Sequence, residues 1–145
     1  MLLKDIKDKI PFPNNKIKVY SFVGPSGTGK SYRAQMVASE RNIEFIIDDG
    51  LLINNNQVVA GESAKKAPTK IETVKHALFY KEEEKQEITK ALKKYKPQSI
   101  LILGTSDGMV DKIAANLGLP EISERVYITD VATEQEMQTA RKIRV

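Results

Sequence analysis

The architecture of this chain can be inferred from one segment, Lys18-Val-Tyr-Ser-Phe-Val-Gly-Pro-Ser-Gly-Thr-Gly-Lys-Ser31. An apolar run leads into the spacing Gly24-x-x-x-x-Gly29-Lys30-Ser31. Glycine at positions 24, 27 and 29 keeps side chains away from the backbone and permits positive φ, so that successive N–H groups can converge on one anion. A helix beginning near Lys30 adds its unpaired first-turn N–H groups and its positive dipole end. The segment therefore predicts a strand, a phosphate-binding loop and a helix.

The spacing also assigns chemistry to the loop. Lys30 is placed to reach the β- and γ-phosphates of a nucleotide, and the Ser31 hydroxyl to ligate Mg²⁺. Lys30 is a catalytic candidate because its charge would neutralise a transferred phosphoryl group. The candidate nucleotide-binding residues here are Gly24, Pro25, Ser26, Gly27, Thr28, Gly29, Lys30, Ser31 and Tyr32.

Residues 17 to 41 resemble the P-loop nucleoside triphosphatase superfamily. The loop Gly-Pro-Ser-Gly-Thr-Gly-Lys-Ser is similar to that of guanylate-kinase-like and other small kinases. The resemblance implies that ATP and Mg²⁺ are the cofactors. We expect ATP rather than GTP, because the Asn-Lys-x-Asp tetrad by which GTPases select guanine is absent.

The amino-acid composition excludes several other classes of protein and site. The 145 residues, 41% apolar and 29% charged, describe one globular domain spanning residues 1–145. Without cysteine and with one histidine, the chain lacks the residues for disulfides, thiolate catalysis or a histidine-rich metal cluster. No apolar run is long enough for a bilayer, and the N-terminus does not resemble a signal peptide, so we expect a cytoplasmic protein without a membrane partner. The net charge of +4 comes from lysines mixed with acids, so nucleic acid is not an expected partner.

Two carboxylates end the next apolar run, Ile43-Glu-Phe-Ile-Ile-Asp-Asp-Gly50. In a parallel sheet they would emerge on the same rim as the phosphate loop. We assign Asp48 to Mg²⁺ together with Ser31, and Asp49 as a catalytic candidate that orients a water or an acceptor hydroxyl. An Asx-turn or a helix cap before Gly50 is the structural alternative. The segment is similar both to the second strand of dephospho-coenzyme A kinase, where an acid faces the acceptor, and to a Walker B strand, where the acid holds Mg²⁺.

Residues 51–70 interrupt the alternation of strands and helices. A hairpin is predicted to turn at Asn54-Asn-Asn56, and a polar stretch bounded by Gly61 and Pro68 follows. P-loop kinases keep a mobile lid or acceptor-binding insertion in such a segment. Lys65, Lys66 and Lys70 would meet phosphate oxygens on closure or face solvent, and we favour solvent.

Helices are predicted on both sides of this region. Residues 1–16 are expected to form a short amphipathic lead-in helix, and Thr133 with Glu136 to cap a final one. Between 69 and 96 the pattern is helical, with two apolar stripes, Ile71-Val74-Leu78 and Ile88-Leu92-Tyr95. The seam between them would carry Lys81 and Lys85, so the helix should kink there or leave the body of the protein. His76 is expected on a helix surface.

The strand-like run Ile100-Leu-Ile-Leu103 suits a central parallel strand. Thr105 is a candidate γ-phosphate sensor, and Asp107 would either reach the metal or, like Ser106, cap the next helix. A further strand at 125–128 is followed by Asp130, the candidate contact to the nucleotide base. Four parallel strands are visible where P-loop folds commonly have five, so we expect a last strand to be missing.

We therefore predict a three-layer α/β/α sandwich with a mainly parallel sheet and the 17–23 strand near its middle. The leading function is Mg²⁺-dependent binding of ATP with transfer of its γ-phosphoryl group to a small-molecule acceptor or to water. An ATPase that drives a partner, with an arginine supplied by that partner or by an oligomer, is the first alternative. A nucleotide-sensing module without turnover is the second.

Overall fold

The computed structural model describes residues 17–132 together with Glu136 and Thr139. The predicted lead-in helix over residues 1–16, and Thr133 of the predicted final cap, lie outside the described residues. Within them the strands are β1 (Lys18–Val23), β2 (Phe45–Asp48), β3 (Leu51–Asn54), β4 (Gln57–Gly61), β5 (Ser99–Gly104) and β6 (Ile122–Tyr127). The helices are α1 (Lys30–Glu40), α2 (Lys70–Ala77), α3 (Glu82–Tyr95), α4 (Asp107–Asn116) and α5 (Ile128–Val131), with a 3₁₀ turn at Ala64–Lys66.

All six described strands form one sheet in the order β4-β3-β2-β5-β1-β6. Strands β2, β5, β1 and β6 run parallel, whereas β3 and β4 pair antiparallel beyond β2. The predicted mainly parallel sheet is thus confirmed. Strand β1 is interior but lies next to the β6 edge strand, because β3 and β4 extend the sheet on the far side. The prediction that β1 lies near the middle is therefore wrong, and β2 and β5 are the central pair.

Helices cover both faces of the sheet and produce the predicted three layers. Helix α1 buries Ala34, Val37 and Ala38 against one face, while α3 and α4 pack on the other. Since alternate residues of a strand point to opposite faces, β5 sends Leu101 toward α1 and Ile102 toward α4. Burial on both faces explains why the strand at 100–103 is apolar without a break.

Two tight turns build the antiparallel part of the sheet. Strands β2 and β3 are joined by Asp49 and Gly50, with φ of 54° and 82°. Strands β3 and β4 are joined by Asn55 and Asn56, with φ of 51° and 63°. Positive φ at both central residues is the signature of the type I′ turn, whose twist matches that of the flanking strands. The second hairpin turns at the predicted asparagines, whereas the first was not predicted.

The helical region between 69 and 96 is broken rather than kinked. Helix α2 ends at Ala77, and Phe79 adopts a left-handed φ of 57° before α3 starts at Glu82. Burial of Phe79 at 1% exposure holds this unfavourable backbone conformation. The break turns most of the predicted first stripe outward: Ile71 is 69% and Val74 53% exposed. These two residues therefore do not share a buried face with Leu78, which is 8% exposed.

Candidate functional site

The four parallel strands end on one rim of the sheet. Val23 at the end of β1 pairs with Gly104 at the end of β5, and Ile47 of β2 pairs with Ile102 of the same strand. The phosphate loop, Asp48 and the segment after Gly104 consequently lie on the same side of the molecule, where parallel sheets bind ligands.

The glycines of the loop serve two different purposes. Gly27 and Gly29 have φ of 77° and 89°, the region that L side chains rarely adopt. Gly24 does not have a positive φ, so this position does not require the conformational freedom of glycine. A Cβ atom at this position would lie 2.4 Å from Cγ2 of Ile128, the first residue of α5. Gly24 is thus needed because α5 packs directly on the loop.

Helix α1 begins without a side-chain cap. Its N-cap residue is Gly29, which has no side chain to offer, whereas Thr69 caps α2 and Ser106 caps α4 through their hydroxyls. Since the first-turn N–H groups of a helix have no partner within the helix, an uncapped N-terminus attracts anions. A phosphate at the loop would take the place of the missing cap.

Hydrogen bonds within the loop fix its shape. The Thr28 hydroxyl, 1% exposed, donates to the Pro25 carbonyl at 2.7 Å. The Lys30 ammonium group donates to the same carbonyl at 3.0 Å, so its charge lies across the loop. Tyr32, in the first turn of α1, is 87% exposed. The loop therefore holds a positive charge against Pro25, and an exposed aromatic ring follows in the first turn of α1.

Ser31 and Asp48 meet across the rim. The Ser31 hydroxyl donates to Oδ2 of Asp48 at 2.7 Å, although the two residues are far apart in sequence. A hydroxyl and a carboxylate oxygen at this separation fit Mg²⁺, which usually takes one or two carboxylates and completes its shell with phosphate and water. In the described part of the chain no three His, Cys, Asp or Glu residues cluster to hold a metal. A cation here would thus depend on the oxygens of a bound nucleotide.

Asp49 lies in the β2–β3 turn, next to Asp48. Its Oδ2 accepts a 2.6 Å hydrogen bond from the Ser63 hydroxyl, and its backbone carbonyl accepts one from the Ala64 N–H at 2.9 Å. The segment after β4 therefore folds back onto the turn and fixes one oxygen of the carboxylate. Sequence reasoning did not single out Ser63, since its role depends on two hairpins returning the chain to the rim.

The carboxylate of Asp107 is hydrogen-bonded to two residues of strand β6. It accepts hydrogen bonds from Arg125 at 3.1 Å and from the Tyr127 hydroxyl at 3.0 Å, and Arg125 also binds Asp111 at 2.8 Å. The hydrogen bond to Asp111 raises the pKa of Arg125, and the bond to Asp107 raises the pKa of Tyr127. This cluster ties α4 to β6, and the sequence did not reveal it.

The other candidate residues at this rim of the sheet make contacts that stabilise the fold. Ser106 caps α4 by accepting from the Met109 N–H at 3.1 Å, which confirms one of the two predicted caps. The hydroxyl of Thr105 lies 3.5 Å from the sulfur of Met109. Asp130 accepts from the Tyr127 N–H at 2.9 Å and thereby caps α5, so its contact to a base stays a prediction.

A cavity of about 390 Å³ lies away from the rim. It opens between α1 and the β2–β3 pair, with Gln35, Ser39, Glu44 and Asn54 among its lining residues. None of the loop residues 24–31 line it. The cavity is therefore separate from the residues assembled around the phosphate loop.

The model of one protein family matches the sequence. The ATPase family associated with various cellular activities (AAA) matches residues 20–126, well over half of the chain. The matched range begins in β1 and ends in β6, so it contains the loop, Asp48 and Asp49. No curated protein matches the sequence. Among the residues that the structure describes, no helix is long and apolar enough to span a membrane.

Proposed function

Since the chain belongs to the ATPase family associated with various cellular activities (AAA), we propose that it hydrolyses ATP with Mg²⁺ at the rim of the sheet. The observation that carries the proposal is the 2.7 Å contact between Ser31 and Asp48 beside an uncapped helix N-terminus. These groups match the two halves of a metal nucleotide: oxygen ligands for the cation and N–H donors for the phosphates.

The phosphate loop would hold the nucleotide through residues 24–31. Backbone N–H groups of residues 27–31 would surround the β-phosphate, and the dipole of α1 would favour its negative charge. Lys30 would leave the Pro25 carbonyl and contact the β- and γ-phosphates, because a phosphate oxygen is a stronger acceptor for an ammonium group than a carbonyl is. Ser31 and Asp48 would hold Mg²⁺, which neutralises charge on the β- and γ-oxygens when it is bound.

Asp49 would orient the attacking water. One of its oxygens is occupied by Ser63, which leaves the other to accept a hydrogen bond from a water in line with the γ-phosphorus. Attack of that water would form a new P–O bond and break the bond to the β–γ bridging oxygen, with Asp49 accepting the water's proton, so that ADP and inorganic phosphate leave. Lys30 would stabilise the charge that develops on the transferred group, an effect typically worth about a hundredfold to a thousandfold in rate.

The base of the nucleotide would lie between α1 and α5. Tyr32 offers an exposed ring for stacking, and Asp130 follows β6 on the same rim. We propose adenine because the guanine-selecting tetrad is absent from the sequence.

Water is favoured over a small-molecule acceptor by the arrangement of residues 51–61. They form β3 and β4, which extend the sheet, and the cavity of about 390 Å³ is not lined by the loop. A small-molecule kinase needs an acceptor pocket facing the γ-phosphate, so these observations support hydrolysis.

A partner that supplies an arginine is the second part of the proposal. Of the described arginines, Arg33 donates to the Val131 carbonyl and pairs with Glu136, and Arg125 is held by two aspartates. Arg41 lies beside Glu40 and Glu124. Because each is engaged away from the loop, we expect slow hydrolysis by the isolated chain and faster hydrolysis when a second copy or another protein contributes a cation.

Phosphate release from ATP tests the proposal. We expect Mg²⁺-dependent release by the wild type, loss of release in Lys30→Ala, and unchanged release in the matched control Lys90→Ala, whose lysine is exposed on α3. Formation of ADP without inorganic phosphate in the presence of a mixture of candidate acceptors would identify a kinase instead. Binding of ATP without any product would identify a nucleotide sensor.

A further inference from the structure

The single histidine of the chain connects three elements near Asp49. His76, on α2, contacts the backbone carbonyl of Glu62 through Nε2 and pairs with the carboxylate of Glu84 on α3 through Nδ1. Its side chain is only 19% exposed, contrary to the expected position on a helix surface. A Cβ added to Gly50 would lie 2.7 Å from Cδ2 of the ring, so the imidazole packs directly on the β2–β3 turn.

The segment after β4, residues 62–64, is held between this ring and the turn. Its Ser63 and Ala64 bind the side chain and the carbonyl of Asp49. At its start, the Gly61 N–H donates to Glu87 of α3 at 3.2 Å. A Cβ on Gly61 would approach the Gly50 carbonyl oxygen to 2.2 Å, so the two glycines are in direct contact. The segment has little space to move while these contacts persist.

We propose that His76 is a positioning residue for Asp49: it fixes residues 62–64 so that Ser63 holds the carboxylate in the orientation used for water. The inference rests on the proposed ATP hydrolysis. His76 itself does not touch the nucleotide in this account, and it acts through the Glu62 carbonyl and Ser63.

The chemistry of the contacts supports a specific role for the imidazole. A backbone carbonyl only accepts hydrogen bonds, so Nε2 must carry a proton. The carboxylate of Glu84 faces the other ring nitrogen, and its second oxygen is buried without a hydrogen-bond partner among the described residues. Removal of the imidazole would leave Glu84 without its partner and free the Glu62 carbonyl, and both effects would loosen the segment.

Four variants test the proposal by steady-state ATP hydrolysis and by ATP affinity. Ser63→Ala removes the direct bond to Asp49, and Ser63→Thr keeps the hydroxyl. His76→Phe keeps a ring against Gly50 but no N–H donor, and Lys75→Ala is the matched control on the exposed side of α2. We expect Ser63→Ala and His76→Phe to lower kcat by about tenfold to a hundredfold with little change in ATP affinity, as misplacement of a catalytic group does.

The double variant separates positioning from general damage. If His76 acts through Ser63, the variant with both Ser63→Ala and His76→Phe is no slower than the slower single variant. Lys75→Ala should retain the wild-type kcat, and Ser63→Thr, which keeps the hydroxyl, should lose less activity than Ser63→Ala. Losses in kcat that multiply in the double variant would overturn the proposal, as would a wild-type kcat in His76→Phe.

Hydrogen exchange supplies a readout without turnover. The Ala64 amide, bonded to the Asp49 carbonyl, should exchange faster in His76→Phe and at the wild-type rate in Lys75→Ala. Should His76→Phe not fold, Glu84→Ala removes the same contact from α3 and should give the same changes. If His76→Phe or Glu84→Ala folds and its Ala64 amide exchanges at the wild-type rate, the role of His76 is refuted, but the proposed ATP hydrolysis is not. A wild type that neither binds nor hydrolyses ATP overturns the proposed function instead.

Discussion

Replacement of Gly24 by alanine is the sharpest prediction about the phosphate loop. The backbone at this position does not have a positive φ, so alanine adds no backbone strain. Its Cβ would, however, lie 2.4 Å from Cγ2 and 2.7 Å from Cβ of Ile128. Carbon atoms in contact are ordinarily about 3.5 to 4.0 Å apart, so the overlap exceeds about 1 Å.

Any movement that relieves this overlap must disturb packing in the core. Ile128 is 2% exposed and packs in the core beneath α1, so its side chain has no solvent to move into. Overpacking of this kind costs about 1 to 3 kcal/mol, and we expect Gly24→Ala to lower the free energy of unfolding by that amount. Because α5 and the loop must separate, ATP affinity should fall as well.

Urea unfolding of four variants measures the effect. Ile128→Ala alone should cost about 2 to 5 kcal/mol through the cavity it creates. Combined with Gly24→Ala it should cost less than the sum, since loss of Cγ2 relieves the closer of the two contacts, while the contact to Cβ remains. Gly108→Ala is the control: a Cβ there meets only Ser106 Oγ at 3.9 Å, and a helical alanine should stabilise by about 0.5 to 1 kcal/mol. Wild-type stability of Gly24→Ala, or additive losses in the double variant, would refute the reasoning.

Three further predictions concern other parts of the fold. Gly50→Ala should lower the free energy of unfolding by at least about 2 kcal/mol, because φ is +82° and the new methyl group would meet the Glu62 carbonyl and His76. Thermal unfolding measures this change, and an unchanged unfolding midpoint would contradict it. Ser106→Ala should cost about 1 kcal/mol by removing the cap of α4, whereas Ser106→Asp should be nearly neutral in the same experiment. The hydrogen bond to Asp107 raises the pKa of Tyr127, so this contribution to stability is present below about pH 10 and is lost as pH rises through the raised value. Ultraviolet titration should show a late component in the wild type that is missing in Tyr127→Phe and shifted to lower pH in Asp107→Asn.

Local signals in the sequence were sufficient for much of the fold. The phosphate loop could be predicted because positive φ at Gly27 and Gly29 is a local requirement that glycine satisfies. The asparagine hairpin and the Ser106 cap follow from the same kind of short-range chemistry. Asp49-Gly50 carried an equally local hairpin signal, which was missed because the carboxylates suggested a functional strand end.

Contacts between distant segments could not be predicted in this way. Phe79 adopts a left-handed conformation only because burial of its ring outweighs the backbone cost, and nothing in its neighbours indicates that. The role of Ser63 depends on two successive hairpins, and that of Arg125 on β6 lying beside α4. Gly24 was identified correctly as a required glycine, but the reason, contact with Ile128, is visible only in three dimensions.

Calorimetric titration with ATP tests the central claim, that the loop, Ser31 and Asp48 together bind a metal nucleotide. The wild type should bind ATP more tightly with Mg²⁺ than with EDTA, and Asp48→Asn should bind equally in both conditions, because it lacks the charged ligand. Glu44→Gln, a carboxylate change immediately before the first residue of β2, should behave as the wild type. No heat from the wild type at millimolar ATP with Mg²⁺, or an unchanged Mg²⁺ effect in Asp48→Asn, would contradict the account.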